Sequence, residues 1–123
     1  MTAPTPPPSA TRLNNYLICA VCGRPGTGHG WAPSDRHPIA WLCDDPDCIP
    51  LARDTYRMPQ QKLTRIERLA IREGGDKGGE YLDSIQKTDL ASLTEDEWWE
   101  FLERIEAGRR EALVTTLKHE SPF

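Results

Sequence analysis

The chain has no apolar run approaching the roughly 20 residues that a membrane-spanning helix requires. Its first residues, MTAPTPPPSATRLNNY, show neither the basic start nor the apolar stretch of a secretory signal. A cytoplasmic protein without membrane contact is therefore expected. Thiols stay reduced in that compartment, so close cysteine pairs read as metal ligands before they read as disulfides. Also missing is the Gly-Lys-Ser/Thr element of a phosphate-binding loop. GGDKGGEY concentrates four glycines but has no such element and no strand-to-helix context, so it reads as a turn between helices. Hydrophobic residues make up only 37% of 123 residues, which allows one core of modest size and leaves no room for a large interdomain cleft. A core that small calls for a staple.

The cysteines can supply it. All four lie in CAVCGRPGTGHGWAPSDRHPIAWLCDDPDC, residues 19–48, as two close pairs. Zinc favours a tetrahedral set of thiolates, and Cys19 and Cys22, two residues apart in a tight turn, can reach one ion with little rearrangement. Gly23 follows and can take the positive φ that turns backbone amides toward the sulfurs. Cys43 and Cys48 form the wider pair, with residues 44–47 as a looser turn. Cys19, Cys22, Cys43 and Cys48 are thus the expected ligands of a structural Zn²⁺. Four ordinary buried thiols are the plain alternative. A thioredoxin-like redox pair would need Cys-x-x-Cys to open a helix, whereas Cys22 leads into Gly23, Arg24, Pro25 and Gly26, a turn. His29 and His37 could substitute for a cysteine, but with four thiols present they read as loop residues near the site.

Around this segment the chain divides into three parts. Residues 1–14 are rich in Pro, Thr, Ser and Ala, and Pro4, Pro6, Pro7 and Pro8 remove amide donors, so a disordered tail is expected. Residues 15–58 form the zinc segment, with short strands at YLICAVC and PIAWLC and a brief helix after Cys48. That helix has Asp47 as N-cap and Pro50 in its first turn, and Pro59 ends it. Residues 59–123 are helical and are expected to pack on the zinc segment as one compact unit. QQKLTRIERLAIREGG spaces Leu63, Ile66, Leu69 and Ala70 as a helix that stops at Gly74 and Gly75. DKGGEYLDSIQ then offers another short helix, and KTDLASL a connector. Thr94 and Glu97 have the form of a capping box at the start of a last helix running to about Lys118, with Trp98, Leu102, Ile105, Ala112 and Leu113 on one face. The fold class is therefore a small α+β protein, a cysteine knuckle with a short β-hairpin followed by three to four helices.

Charge is uneven along the chain. Residues 51–73 carry six basic against three acidic groups, while residues 74–123 carry six against twelve. Only the middle segment could attract a phosphate backbone, through Arg53, Arg57, Lys62, Arg65, Arg68 and Arg72. The plain reading of these residues is a solvated helix face. Adjacent Trp98 and Trp99 cannot share one helix stripe, so one is expected inward and the other exposed as a partner contact.

The order of knuckle, hairpin ending in Trp41-Leu42-Cys43, and Cys48 at a helix start resembles a treble-clef zinc finger. That group includes nucleic-acid binders, protein-interaction modules and His-Asn-His nucleases. The nuclease version requires a histidine or asparagine on the helix after Cys48, and none is present. GGEYLDSIQKTDLASLTEDEWWEFLERI, with the Cys-x-x-Cys-Gly knuckle and the ending PF, resembles an uncharacterised family of small zinc-ribbon-like proteins encoded by tailed phages and prophages. The likeness implies phage origin, a bacterial host cytoplasm and a zinc-ribbon-like N-terminal segment, and no known activity. The reading that follows is a zinc-binding, non-catalytic module for an unidentified phage or host protein. A small nucleic-acid-binding regulator is the alternative.

Overall fold

The computed structural model describes residues 12–120. Two short antiparallel strands, β1 (His29–Trp31) and β2 (Ala40–Leu42), pair in the register His29 with Leu42, Gly30 with Trp41, and Trp31 with Ala40. Three α-helices follow, α1 (Cys48–Arg57), α2 (Gln60–Ser84) and α3 (Glu95–Glu120), with a single 3₁₀ turn at Leu90–Ser92 before α3. The class is α+β, as expected. Among the described residues, no helix is long and apolar enough to cross a membrane.

These residues divide into two compact units. One comprises residues up to 63 together with 117–120, the other residues 64–116. In the first unit, α1 buries Cys48, Leu51, Ala52 and Thr55, the i, i+3, i+4, i+7 stripe of a helix with one inward face. It packs against β2. Leu13, Ala20 and Ala40 form a small core that Tyr56 partly covers. Residues 12–14, which the sequence assigned to the tail, are built into this unit. Leu13 is buried, and Asn14 exchanges hydrogen bonds with Ile39 through its backbone N–H (2.7 Å) and its side-chain oxygen (2.9 Å). The rest of the tail, residues 1–11, lies outside the described residues, as does the terminal Pro-Phe.

Two strand and cap expectations are corrected. YLICAVC is not a strand: Ile18 makes only an isolated bridge to Pro25. The chain at Cys19–Cys22 has to close a turn, so it cannot remain extended, and β2 pairs with His29–Trp31 instead. Asp47 occupies the N-cap position of α1, yet its side chain caps nothing. Its backbone N–H donates to Asp45 Oδ1 (2.8 Å), and its carboxylate pairs with Lys118 Nζ (2.7 Å).

The second unit holds the main correction. No helix ends at Gly74 or Gly75, because α2 runs unbroken to Ser84. Gly74 and Gly78 are points of close helix packing. A Cβ on Gly74 would lie 2.5 Å from the Ile105 carbonyl oxygen and 2.9 Å from the Arg109 nitrogen, and one on Gly78 would lie 2.6 Å from Ile105 Cγ1. The helix ends later, where Gln86 takes φ 57°. The N–H of Lys87 bonds the Leu82 carbonyl (3.1 Å) and that of Gln86 the Asp83 carbonyl (3.1 Å), the two bonds of a Schellman ending with glutamine in the left-handed position. The capping box of α3 forms as expected. The Thr94 N–H donates to Glu97 Oε1 (2.9 Å) and the Glu97 N–H to Thr94 Oγ1 (3.2 Å).

Candidate metal centre

The knuckle begins with a backbone turn. The Cys19 N–H donates to the Arg24 carbonyl (2.7 Å), and the Gly23 N–H to the Cys19 carbonyl (2.9 Å). Gly23 has φ 82°, a left-handed conformation that suits glycine. Gly26 is required for close approach, since a Cβ there would run into the Tyr16 carbonyl oxygen. The knuckle is tied to β2 on both sides, by Ala20 N–H to the Trp41 carbonyl (2.8 Å) and Thr27 N–H to the Leu42 carbonyl (3.0 Å). Cys43 follows β2 directly and Cys48 opens α1. Between them Asp45 makes the turn, taking the Asp47 N–H on its side chain while its carbonyl accepts the Cys48 N–H at 3.1 Å. The looser turn expected at residues 44–47 is thus present, and Asp45, of the Asp-Pro pair at 45–46, is the residue whose side chain closes it.

All four cysteines are buried and free of disulfides. Their Sγ atoms all lie within 4.8 Å of one another, and Cys22 and Cys43 are 3.8 Å apart. Zinc–sulfur bonds of about 2.3 Å at tetrahedral angles would set sulfurs about 3.8 Å apart, while a disulfide needs about 2.05 Å. The donor set therefore fits a single tetrahedral ion that prefers thiolates, and the four cysteines could hold a metal.

The electrostatics point the same way. The Cys19 thiol is pushed far down by hydrogen bonds from the Cys22 and Cys48 thiols, with the Cys22 and Cys43 backbone amides adding to the effect. Cys22 is raised chiefly by its hydrogen bond to Cys19, and Cys48 by those to Cys19 and Cys22 and then by burial. One thiolate thus suppresses ionisation of two neighbours, and a cation is what allows more of them to ionise together.

His29 lies in β1 rather than in a loop, and His37 lies in the loop between the strands. Both are exposed, and the cluster consists of cysteines alone. Arg53 and Arg57 lie exposed on α1, while Lys62 pairs with Glu120 at 2.9 Å, all within the first unit. In the second unit Arg65, Arg68 and Arg72 are exposed along one side of α2, away from buried Ile66 and Ala70. Trp98 and Trp99 are both exposed, at 41% and 57%, so the expectation that one packs inward is corrected. Phe101 and Ile105 take the positions facing Gly78, and Trp98 leans on Phe101 with ring centroids 5.9 Å apart.

No curated protein and no solved structure matches the chain. A family model does match, over residues 61–123, a stretch that begins after the cysteine segment and holds Lys62, Arg65, Arg68, Arg72 and both exposed tryptophans of α3. By that match the chain belongs to a family of unknown function, DUF6511.

Proposed function

We propose that the protein is a zinc-binding accessory protein that acts as a non-catalytic protein-interaction module. The observation that carries the reading is the set of four buried thiols gathered within 4.8 Å. Four thiolates complete a tetrahedral sphere and leave no coordination position for water, so the ion's chemistry there is cross-linking. Cys19 and Cys22 would hold it from the knuckle, Cys43 from the end of β2 and Cys48 from the start of α1. That order of ligands is the one found in a treble clef. Its effect is to fix a segment whose glycines and prolines cannot build a core alone.

The exposed indoles of Trp98 and Trp99, beside Glu95, Asp96, Glu97 and Glu100, are the surface proposed for the protein partner. The resemblance to phage and prophage proteins supports a partner from a phage or its bacterial host and a cytoplasmic setting. Elemental analysis of protein purified under reducing conditions should give one zinc per chain, and its absence would remove the reading. Affinity capture from host cells, repeated with W98A/W99A, tests the surface. A partner retained undiminished by the double variant would exclude it.

The second reading, a nucleic-acid-binding regulator, is favoured by the exposed Arg65, Arg68 and Arg72 on one helix side. Filter binding to duplex and single-stranded DNA over a salt series separates the two. Phosphate contacts give affinity that falls steeply with salt.

A further inference from the structure

The β-hairpin carries a second feature that the metal does not use. Between the strands and their connecting loop lies a cleft of about 560 Å³, lined by Trp31, Trp41, Asp35 and His37 over Gly30 and Ile39. We propose that this cleft binds an organic cation, an alkylammonium or guanidinium group, held against the Trp31 and Trp41 indoles and neutralised by the Asp35 carboxylate.

The walls are fixed before any ligand arrives. Gly30 faces Trp41 across the strands, and a Cβ on it would lie 3.1 Å from two ring carbons of Trp41 and 2.8 Å from Ile39 Cγ2. The indole therefore lies over bare backbone and cannot sink further. Trp31 and Tyr56 meet in a T-shaped pair, with ring centroids 5.4 Å apart and planes at 77°. The Tyr56 hydroxyl donates to the Pro38 carbonyl at 2.9 Å. The loop is closed on itself by Ser34, whose hydroxyl lies 2.6 Å from His37 Nδ1 and accepts the Arg36 N–H at 3.2 Å. Its far end is clamped by the two hydrogen bonds between Asn14 and Ile39. A cleft held this way loses little ordering entropy on binding.

The sign of the ligand follows from the lining. Asp35 is its one carboxylate, and no lysine or arginine lines it. Asp35 makes no ion pair among the described residues. Indole faces attract cations through the ring quadrupole, and a carboxylate beside them adds a counter-charge. A nucleobase could also stack on the indoles, but its phosphate would approach Asp35 in a segment, residues 16–50, with two arginines against four aspartates. The cation is the better fit.

The test uses the full metal-loaded chain and follows its four indole N–H signals by NMR, with the Trp31 and Trp41 signals assigned through W31F and W41F. Choline and methylguanidinium should shift the Trp31 and Trp41 signals saturably and leave those of Trp98 and Trp99 in place. The neutral choline analogue 3,3-dimethyl-1-butanol should bind at least about tenfold more weakly, and D35N should lower choline affinity by about tenfold. D35N changes an exposed loop side chain, so its spectrum also reports whether the fold is kept. G30A, which fills the floor, should abolish the shifts while the D35N protein still folds. A peptide carrying trimethyl-lysine distinguishes the source. Tighter binding than choline points to a protein side chain, and equal binding to a small free cation. Equal affinity for the neutral analogue, full affinity in D35N, shifts only with oligothymidylate, or no shift with any probe would overturn the proposal.

Discussion

The sulfurs of Cys22 and Cys43 lie 3.8 Å apart, although 21 positions separate the two residues in the chain. That spacing is almost twice a disulfide bond and equals the edge of a zinc–thiolate tetrahedron. Removing the metal with a strong chelator should therefore leave like-charged or protonated thiols in a buried cluster and open the first unit. The expected readout is loss of the near-ultraviolet circular dichroism of Trp31 and Trp41, restored when zinc is returned. Cys48→Ser should lower metal affinity by more than the ~10–100-fold typical of losing a supporting group around a metal site. A chelated protein that kept its tryptophan signal would contradict the cross-linking role.

Four glycines of α2 should divide cleanly by position. A methyl at Gly74 would meet the Ile105 carbonyl oxygen and the Arg109 nitrogen, backbone atoms that cannot swing aside, whereas Gly75 and Gly79 have nothing within 4 Å. Gly74→Ala should destabilise by about 1–3 kcal/mol through overpacking. Gly75→Ala should stabilise by about 1 kcal/mol, because glycine in a helix interior costs that much relative to alanine. Gly78→Ala should fall between them, since the Ile105 and Phe101 side chains it would meet can shift. Urea melts of the three variants give the order directly.

The same glycines mark where the sequence stopped being legible. What could be read was local: the Cys19–Cys22 turn with Gly23 behind it, the helix opened by Cys48, and the Thr94/Glu97 capping box each depend on residues within a few positions. The meaning of Gly74 depends on Ile105, 31 positions away, and a double glycine reads locally as a helix end. β1 was missed for a related reason. His-Gly-Trp has a strand-disfavouring glycine at its centre and is too short to show an alternating pattern, and its extension is held by the ladder to Ala40–Leu42. Trp98 and Trp99 were misjudged because the inward positions facing Gly78 go to Phe101 and Ile105. The cleft on the hairpin was invisible because its walls come from both strands and the loop joining them.

The start of α3 should show a pH dependence of known sign. Glu97 accepts from Lys87 Nζ at 2.6 Å and from the Thr94 N–H at 2.9 Å. Its carboxyl is held below the ordinary 4.5, first by Lys87 and then by the Thr94 amide. A group whose folded pKa is depressed adds stability above its unfolded value, and that stability is lost as pH falls through the folded one. The loss should therefore begin near pH 4.5 and deepen below it. Glu97→Gln should flatten that part of the stability–pH profile, and salt should shrink the difference in part, because the pair is only half-buried. Thr94→Ala should cost about 1 kcal/mol at neutral pH, through the lost cap.

Thr55 offers a test in the opposite direction, a substitution that should stabilise. It is buried on the inward face of α1, and its hydroxyl finds no hydrogen-bond partner among the described residues. A buried hydroxyl without a partner keeps its desolvation cost, on the order of 1–3 kcal/mol. Valine has nearly the same shape, about the same helix propensity and no polar atom, so Thr55→Val should raise stability by about 1 kcal/mol. Thr55→Ala removes the hydroxyl too, but it leaves space beside Leu51 and Ala52 on the same stripe and should gain less or lose. If both variants were destabilised equally, the hydroxyl would have to be satisfied in solution. Thermal melts at fixed zinc concentration keep metal linkage out of the comparison.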